Sequence, residues 1–156
     1  MNELLDILLV DDDEVDREMV RKSLRSITAQ WTEVATAAQA LQALERRRDL
    51  VLLDYKLPDM DGLELIGKIK DKAPDTPIIL ITGFGSEDLV MAAVGSGVLD
   101  YVPKSKITPE FMTRTVINDL LIHKSNLEVE KMRRATAEAL KDIIRVAKER
   151  LADYDS

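Results

Sequence analysis

Along the first hundred residues, apolar positions alternate between short unbroken runs and longer stretches where they recur every three or four residues. Ile7-Leu8-Leu9-Val10, Val51-Leu52-Leu53 and Ile78-Ile79-Leu80-Ile81 are continuous. Such runs, bounded by turn residues, predict strands buried on both faces. With a more polar run from Trp31 to Ala35 and another from Val98 to Val102, five strands are expected, at 6–10, 31–35, 51–54, 78–82 and 98–102.

Between them the period changes to that of a helix. The stretch from Glu14 to Ser26 places Val15, Met19, Val20 and Leu24 on one face. Thr36 precedes a helix carrying Ala40, Leu41 and Leu44, Asp61 one carrying Leu63, Leu65, Ile66 and Ile69, and Ser86 one carrying Leu89, Val90, Ala93 and Val94. Each of these three is an expected N-cap, because its side-chain oxygen can accept an otherwise unpaired helix N–H. Gly95-Ser96-Gly97 is expected to close the fourth helix, and Thr108-Pro109 to open the fifth. Strands alternating five times with helices imply an α/β parallel sheet wrapped on both faces. Short right-handed crossovers leave a doubly wound, flavodoxin-like sheet of strand order 2-1-3-4-5 as the expected topology.

Beyond Pro109 the chain contains neither Gly nor Pro. One extended C-terminal helix of roughly 45 residues is expected, about 65–70 Å long and more than the sheet can cover. The division expected is therefore a sheet domain over 1–123 and a helical extension, coiled-coil or signalling helix in character, over 124–156. Val129, Met132, Thr136, Ala139, Leu140, Ile143, Val146 and Ala147 form an apolar stripe flanked by mixed charges. A solvated helix that frays is one reading. Parallel association of two helices is the other, since so much apolar surface is hard to leave in water.

Charge narrows the partners. Of the formal net charge of −7, residues 1–123 carry 14 Lys and Arg against 22 Asp and Glu, and residues 124–156 carry 8 against 7. Neither part is a basic nucleic-acid footprint, and one helix after 124 leaves no room for a helix-turn-helix. The chain has no Cys, hence no disulfide frame and no thiolate metal site. The apolar run at the N-terminus is short and broken by Asp6, so neither a secretion signal nor a membrane span is expected, and the cytoplasm is the default location.

The chemistry sits at the strand ends. Asp11 and Asp12 close the first strand, Asp54 the third and Thr82 the fourth, and Lys104 follows the fifth. A parallel sheet brings all of them to its carboxyl edge, where ligands bind. Three carboxylates so close resist joint ionisation unless a cation joins them. A hard divalent ion is the natural solution, and Mg²⁺ suits because it accepts a site completed by water and phosphate. Beside it one carboxylate can act as a nucleophile toward phosphorus, with Lys104 and Thr82 neutralising equatorial oxygens.

Residues 1 to about 123 resemble the CheY-like receiver domains of two-component response regulators. The likeness lies in Leu9-Val10-Asp11-Asp12-Asp13, Leu53-Asp54-Tyr55-Lys56-Leu57-Pro58-Asp59-Met60-Asp61-Gly62, Ile81-Thr82-Gly83 and Asp100-Tyr101-Val102-Pro103-Lys104. The resemblance implies that Asp54 is the phosphoacceptor and that Asp12, Asp54 and the Lys56 carbonyl hold Mg²⁺, with Asp11 acting through water. It makes Thr82 and Tyr101 the switch pair and Lys104 the partner of the phosphoryl group. It also implies a sensor histidine kinase or phosphotransfer protein as donor. Output would run through the face of the fourth helix, fifth strand and fifth helix, and a homodimer would form through helix five and its extension. The chain departs from the family at Ser105, where Pro usually follows the lysine, and at Gly83, where Ala is usual. Phe84 and Lys56, each two residues beyond a site residue, flank the path of attacking water and are expected to slow hydrolysis.

Other residues carry plainer expectations. Asp13 reads as an exposed neighbour of the acidic pair, His123 as a solvated helix residue, Trp31 as core or sheet edge, and Arg46-Arg47-Arg48 as a helix end. Two other functions remain at this point. A Mg²⁺-dependent phosphohydrolase of the haloacid-dehalogenase type would want a second acid two residues after the nucleophile, where Lys56 stands. A helical scaffold with a silent receiver would bind partners regardless of Asp54. Otherwise self-phosphorylation and slow self-dephosphorylation are the only activities expected. The regulator could also be longer, with a nucleotide-cyclase or kinase output.

Overall fold

The computed structural model describes residues 4–83 and 87–155. The elements are β1 (Leu5–Val10), α1 (Glu14–Ser23), β2 (Ala29–Val34), α2 (Ala37–Ala43), β3 (Leu50–Asp54), α3 (Gly62–Lys72), β4 (Ile78–Thr82), α4 (Glu87–Gly95), β5 (Asp100–Pro103) and α5 (Pro109–Asp155). The five strands form one parallel sheet in the order β2-β1-β3-β4-β5. This is the doubly wound α/β arrangement expected from the apolar runs.

Because successive strand residues point to opposite faces, each continuous run feeds two cores. Leu8, Val10, Val51, Leu53, Ile78 and Leu80 pack with residues of α2, α3 and α4. Ile7, Leu9, Leu52, Ile79 and Ile81 pack on the other face with Val20 of α1 and with Met112 and Val116 of α5. All five residues of β3 and of β4 are buried.

Several boundaries and faces differ from the periodic expectation. α1 ends at Ser23, and three-residue turns carry the chain onward through Leu24 N–H to Arg21 O and Ile27 N–H to Leu24 O. Val15, expected on the buried face, is 73% exposed, and Val94 of α4 is 57% exposed. A helix this short has its buried face narrowed by the sheet beneath it, so a residue at the rim of the apolar arc stays in water. β5 begins at Asp100, not Val98, since Gly97 at φ +97° turns the chain before Leu99 N–H reaches Ile78 O at 2.7 Å.

The caps at Thr36, Asp61 and Thr108 form as expected, accepting from Gln39, Leu63 and Phe111 N–H. Ser86 and Phe84 lie outside the described residues. Gly62 is required by close approach, because a Cβ there would meet Tyr55 O at 2.7 Å and Tyr55 Cα at 3.1 Å. Trp31 is half-buried at the sheet edge against the α1 side of the core.

The arginine run is more than a helix end. Arg48 does cap α2, its Nε donating to Ala43 O at 3.0 Å, but the residue is only 7% exposed and its Nη1 also donates to Asp6 Oδ1 at 3.0 Å and Thr32 Oγ1 at 2.8 Å. Arg46 Nη2 takes the other oxygen, Asp6 Oδ2, at 2.6 Å.

The chain divides into two compact units, Met1–Leu120 and Leu121–Ser156. Residues 124–155 of the second unit are helical and exposed throughout. No helix of the described residues is long and apolar enough to cross a membrane.

Candidate functional site

β1 and β3 are adjacent and in register, Val10 beside Leu53, so the residues that follow them emerge side by side. Asp11 is 2% exposed and Asp54 is 6% exposed, whereas Asp12 is open to solvent. One carboxylate oxygen from each of Asp11, Asp12 and Asp54 lies within 4.8 Å of the others. Asp11 is fixed at both backbone and side chain, its carbonyl accepting from Arg17 Nη1 at 2.6 Å and its carboxylate from Asp13 N–H at 2.9 Å. Asp13 is itself the N-cap of α1, accepting from Val15 and Asp16 N–H. Its position beside the metal-type pair is therefore structural.

β4 and β5 bring the remaining groups. Ile81 pairs with Asp54, and Thr82 with Pro103, so Thr82 stands one step beyond the level of Asp54 and Lys104 one step beyond that, at the same edge. Thr82 is 2% exposed. Lys104 Nζ lies 2.6 Å from Asp16 Oδ2, 3.0 Å from Asp11 Oδ2 and 3.4 Å from Asp54 Oδ2. Tyr101 is half-buried against the core on the α4 side. Lys56 bridges to Asp61 across the loop and its amide donates to Asp54. Among the described residues, a Cβ at Gly83 would meet Lys104 Cδ at 3.8 Å, an ordinary contact distance.

One ammonium among three carboxylates leaves the pocket under-neutralised. Burial, and then the charge of Asp11, push Asp54 up from 3.8 to about 6, against the pull of Lys104 and the Lys56 amide. For Lys104, burial works against the charge, but Asp16 and Asp11, and then Asp54, hold it above the usual lysine range. The pocket thus has hard oxygen donors, a solvent-open side at Asp12 and an unmet demand for positive charge. These features fit a Mg²⁺ ion.

Two contributors were not anticipated from the pattern of residues. Asp16, in the first turn of α1, makes the shortest contact to Lys104. Asp59 caps α2 from the loop after β3, accepting from Ala37 N–H at 2.9 Å and Ala38 N–H at 3.0 Å. Those two amides, ahead of a small opposing burial effect, hold its carboxyl below the usual range.

The sequence profile of the response regulator receiver domain matches residues 7–117. The chain belongs to that family. Among curated relatives, the transcriptional regulatory protein ZraR of Klebsiella oxytoca is 40% identical over 107 residues, which are 65% of this chain and 23% of ZraR. Regulatory protein LuxO of Vibrio cholerae is 34% identical over 97 residues, 62% of this chain and 21% of LuxO. The chain thus spans less than a quarter of either relative. Among solved structures, a CheY-like receiver domain protein from Methanospirillum hungatei superposes with a TM-score of 0.73 at 28% identity, covering 80% of this chain and 99% of that one. The beryllofluoride-activated receiver domain of DrrB gives 0.68 at 30% identity, covering 76% and 98%.

Proposed function

We propose that this receiver accepts a phosphoryl group on Asp54 from a sensor histidine kinase or phosphotransfer protein. The observation that carries the reading is the buried Asp54 carboxylate, held beside Asp11 and Asp12 with Lys104 shared among the acids. An Asp54 carboxylate oxygen attacks phosphorus in line, the P–N bond of a phosphohistidine or the P–O bond of a small acyl phosphate breaks, and an acyl phosphate forms on Asp54 as the leaving group departs. Asp11, Asp12, Asp54 and the Lys56 carbonyl would hold Mg²⁺. Bound there, the ion supplies positive charge to the phosphoryl oxygens. Lys104 then exchanges a carboxylate for a phosphoryl oxygen, and the Thr82 hydroxyl donates to another.

Drawing Thr82 inward frees volume that the Tyr101 ring fills, which alters the surface of α4, β5 and α5. Only a bias between two pre-existing arrangements is needed. The signal leaves through α5, by partner binding or by self-association of two copies, in the cytoplasm. The protein does not turn over substrate beyond loading and slowly losing its own phosphoryl group. Relatives such as ZraR are several times longer, so a further output domain on the full regulator, such as a cyclase or kinase, fits the same reading.

The test is intact mass after acetyl phosphate plus Mg²⁺. One phosphoryl group is expected on the wild type, none on Asp54→Asn, and beryllofluoride should block loading. A folded wild type that no phosphodonor labels would overturn the reading.

A further inference from the structure

Among the described residues three acids contact Lys104, and they differ in origin. Asp11 and Asp54 come from the ends of strands, whereas Asp16 is supplied by the first turn of α1. Lys104 opens a single 3₁₀ turn, Lys104–Lys106, after β5. Although 88 residues separate Asp16 from Lys104 in sequence, their contact, Nζ to Oδ2 at 2.6 Å, is the shortest of the three.

The backbone of Asp16 is held in place. Its N–H donates to the Asp13 cap at 3.2 Å, and the neighbouring Arg17 reaches the Asp11 carbonyl at 2.6 Å and brings its Nε within 3.5 Å of Glu33 on β2. Arg21, one turn further along α1, holds the same Glu33 at 2.8 Å. The start of the helix is therefore tied to the end of β1 and to β2. An aspartate side chain is too short to follow a partner that moves away from such a position.

An ammonium carries three N–H groups. Asp16, Asp11 and Asp54 lie 2.6, 3.0 and 3.4 Å from Nζ, so the charge rests toward α1 and away from the proposed phosphoacceptor. A phosphoryl group on Asp54 needs that charge on its own oxygens, and drawing Nζ toward it stretches the bond to an acceptor that cannot follow. Asp16 has two opposed effects, for it confines the Lys104 side chain and it offsets the charge that Lys104 offers. The second is the larger, because Asp11 and Asp54 already confine the ammonium, while a carboxylate at 2.6 Å in a partly buried pair cancels much of its field.

We propose that Asp16 is a positioning residue that holds Lys104 back from the phosphoryl group, favouring the resting state and keeping the loading of Asp54 below what the other site residues would allow. The proposal rests on the reading of Asp54 as phosphoacceptor and Lys104 as phosphoryl partner, and adds the residue against which that exchange works.

The test is the affinity of the full chain for beryllofluoride, followed by fluorine NMR at saturating Mg²⁺, in wild type, Asp16→Asn, Lys104→Gln and the double variant. Asp16→Asn should bind about fivefold more tightly than wild type, the change expected for one partly buried ion pair. In the Lys104→Gln background the same substitution should change affinity by less than about twofold, because the ammonium through which Asp16 acts is gone. Unchanged or weaker binding by Asp16→Asn would mean that Asp16 supports Lys104, and would overturn the proposal. Equal tightening in both backgrounds would overturn it too, as the mark of through-space repulsion alone. Asp16→Ala, checked with Asp16→Asn for native circular dichroism, should tighten binding in the same direction. After acetyl phosphate plus Mg²⁺, intact mass should show a larger loaded fraction for Asp16→Asn than for wild type, and an equal or smaller one counts against the proposal. A wild type that neither binds beryllofluoride nor takes up a phosphoryl group overturns the reading of Asp54 itself, whereas a wild type that does both, with Asp16→Asn no tighter, overturns only the role of Asp16.

Discussion

β1 carries aspartates at both ends, and the two ends are built to opposite purposes. At its amino end Asp6 meets two guanidinium groups, Arg46 on one carboxylate oxygen and Arg48 on the other, while its backbone N–H donates to the Asp49 carboxylate at 2.8 Å. At its carboxyl end Asp11 shares a single ammonium with Asp16 and Asp54, with Asp12 alongside. The first arrangement is saturated and ties the sheet to the end of α2. The second is short of positive charge, a shortage that a divalent cation at the proposed phosphoacceptor would relieve. Charge is satisfied where the protein needs rigidity and left unsatisfied where it needs chemistry.

The contrast can be broken first at the saturated end. Arg48→Ala removes a nearly buried guanidinium that bonds Asp6, Thr32 and the Ala43 carbonyl, taking a donor from three half-buried acceptors. A loss of about 3 kcal/mol in urea unfolding is expected, more than for the exposed Arg46.

At the deficient end the sign reverses. Asp54 sits at about 6 in the folded protein against 3.8 ordinarily, so the native state binds its proton more tightly. The stability this gives is present below about pH 4 and is lost as pH rises through about 6. Asp54→Asn removes that decline and should be more stable than wild type by about 2 kcal/mol at pH 7, the gap closing toward pH 4. A pair of unfolding curves at the two pH values checks it, and a gap that is independent of pH would refute the cause.

Mg²⁺ should repair the deficient end and leave the other alone. At ten times its dissociation constant it should stabilise wild type by about 1.4 kcal/mol at pH 7, and Asp54→Asn by much less, in thermal melts with and without chelator. Gly83→Ala sharpens the comparison least. The new Cβ rests at contact distance on the Lys104 stem, and the gain expected from a stiffer unfolded chain is about 0.5 kcal/mol.

How much of this was readable beforehand depends on the range of each interaction. Asp11, Asp12, Asp54, Thr82 and Lys104 were recognisable because each follows an apolar run whose sheet position is nearly forced, and the register of β1, β3, β4 and β5 then carries them to one edge. Thr36, Asp61 and Thr108 were recognisable because a cap acts within three residues of itself. Asp16, Asp59 and Arg48 were not. Their partners lie 88, 21 or 22, and 42 residues away, and no local period encodes such a pairing.

By itself, then, the order of residues determined the alternation of strands and helices, the set of chemical groups after the strands and the apolar stripe of the long helix, because periodicity and capping are short-range effects. Tertiary structure alone decided that Lys104 would lean on Asp16 more closely than on Asp54, that Arg48 would be buried on Asp6, and that Val15 would remain in water. Those outcomes depend on which side chain reaches a shared partner first when distant segments close on one another, and only the assembled fold sets those distances.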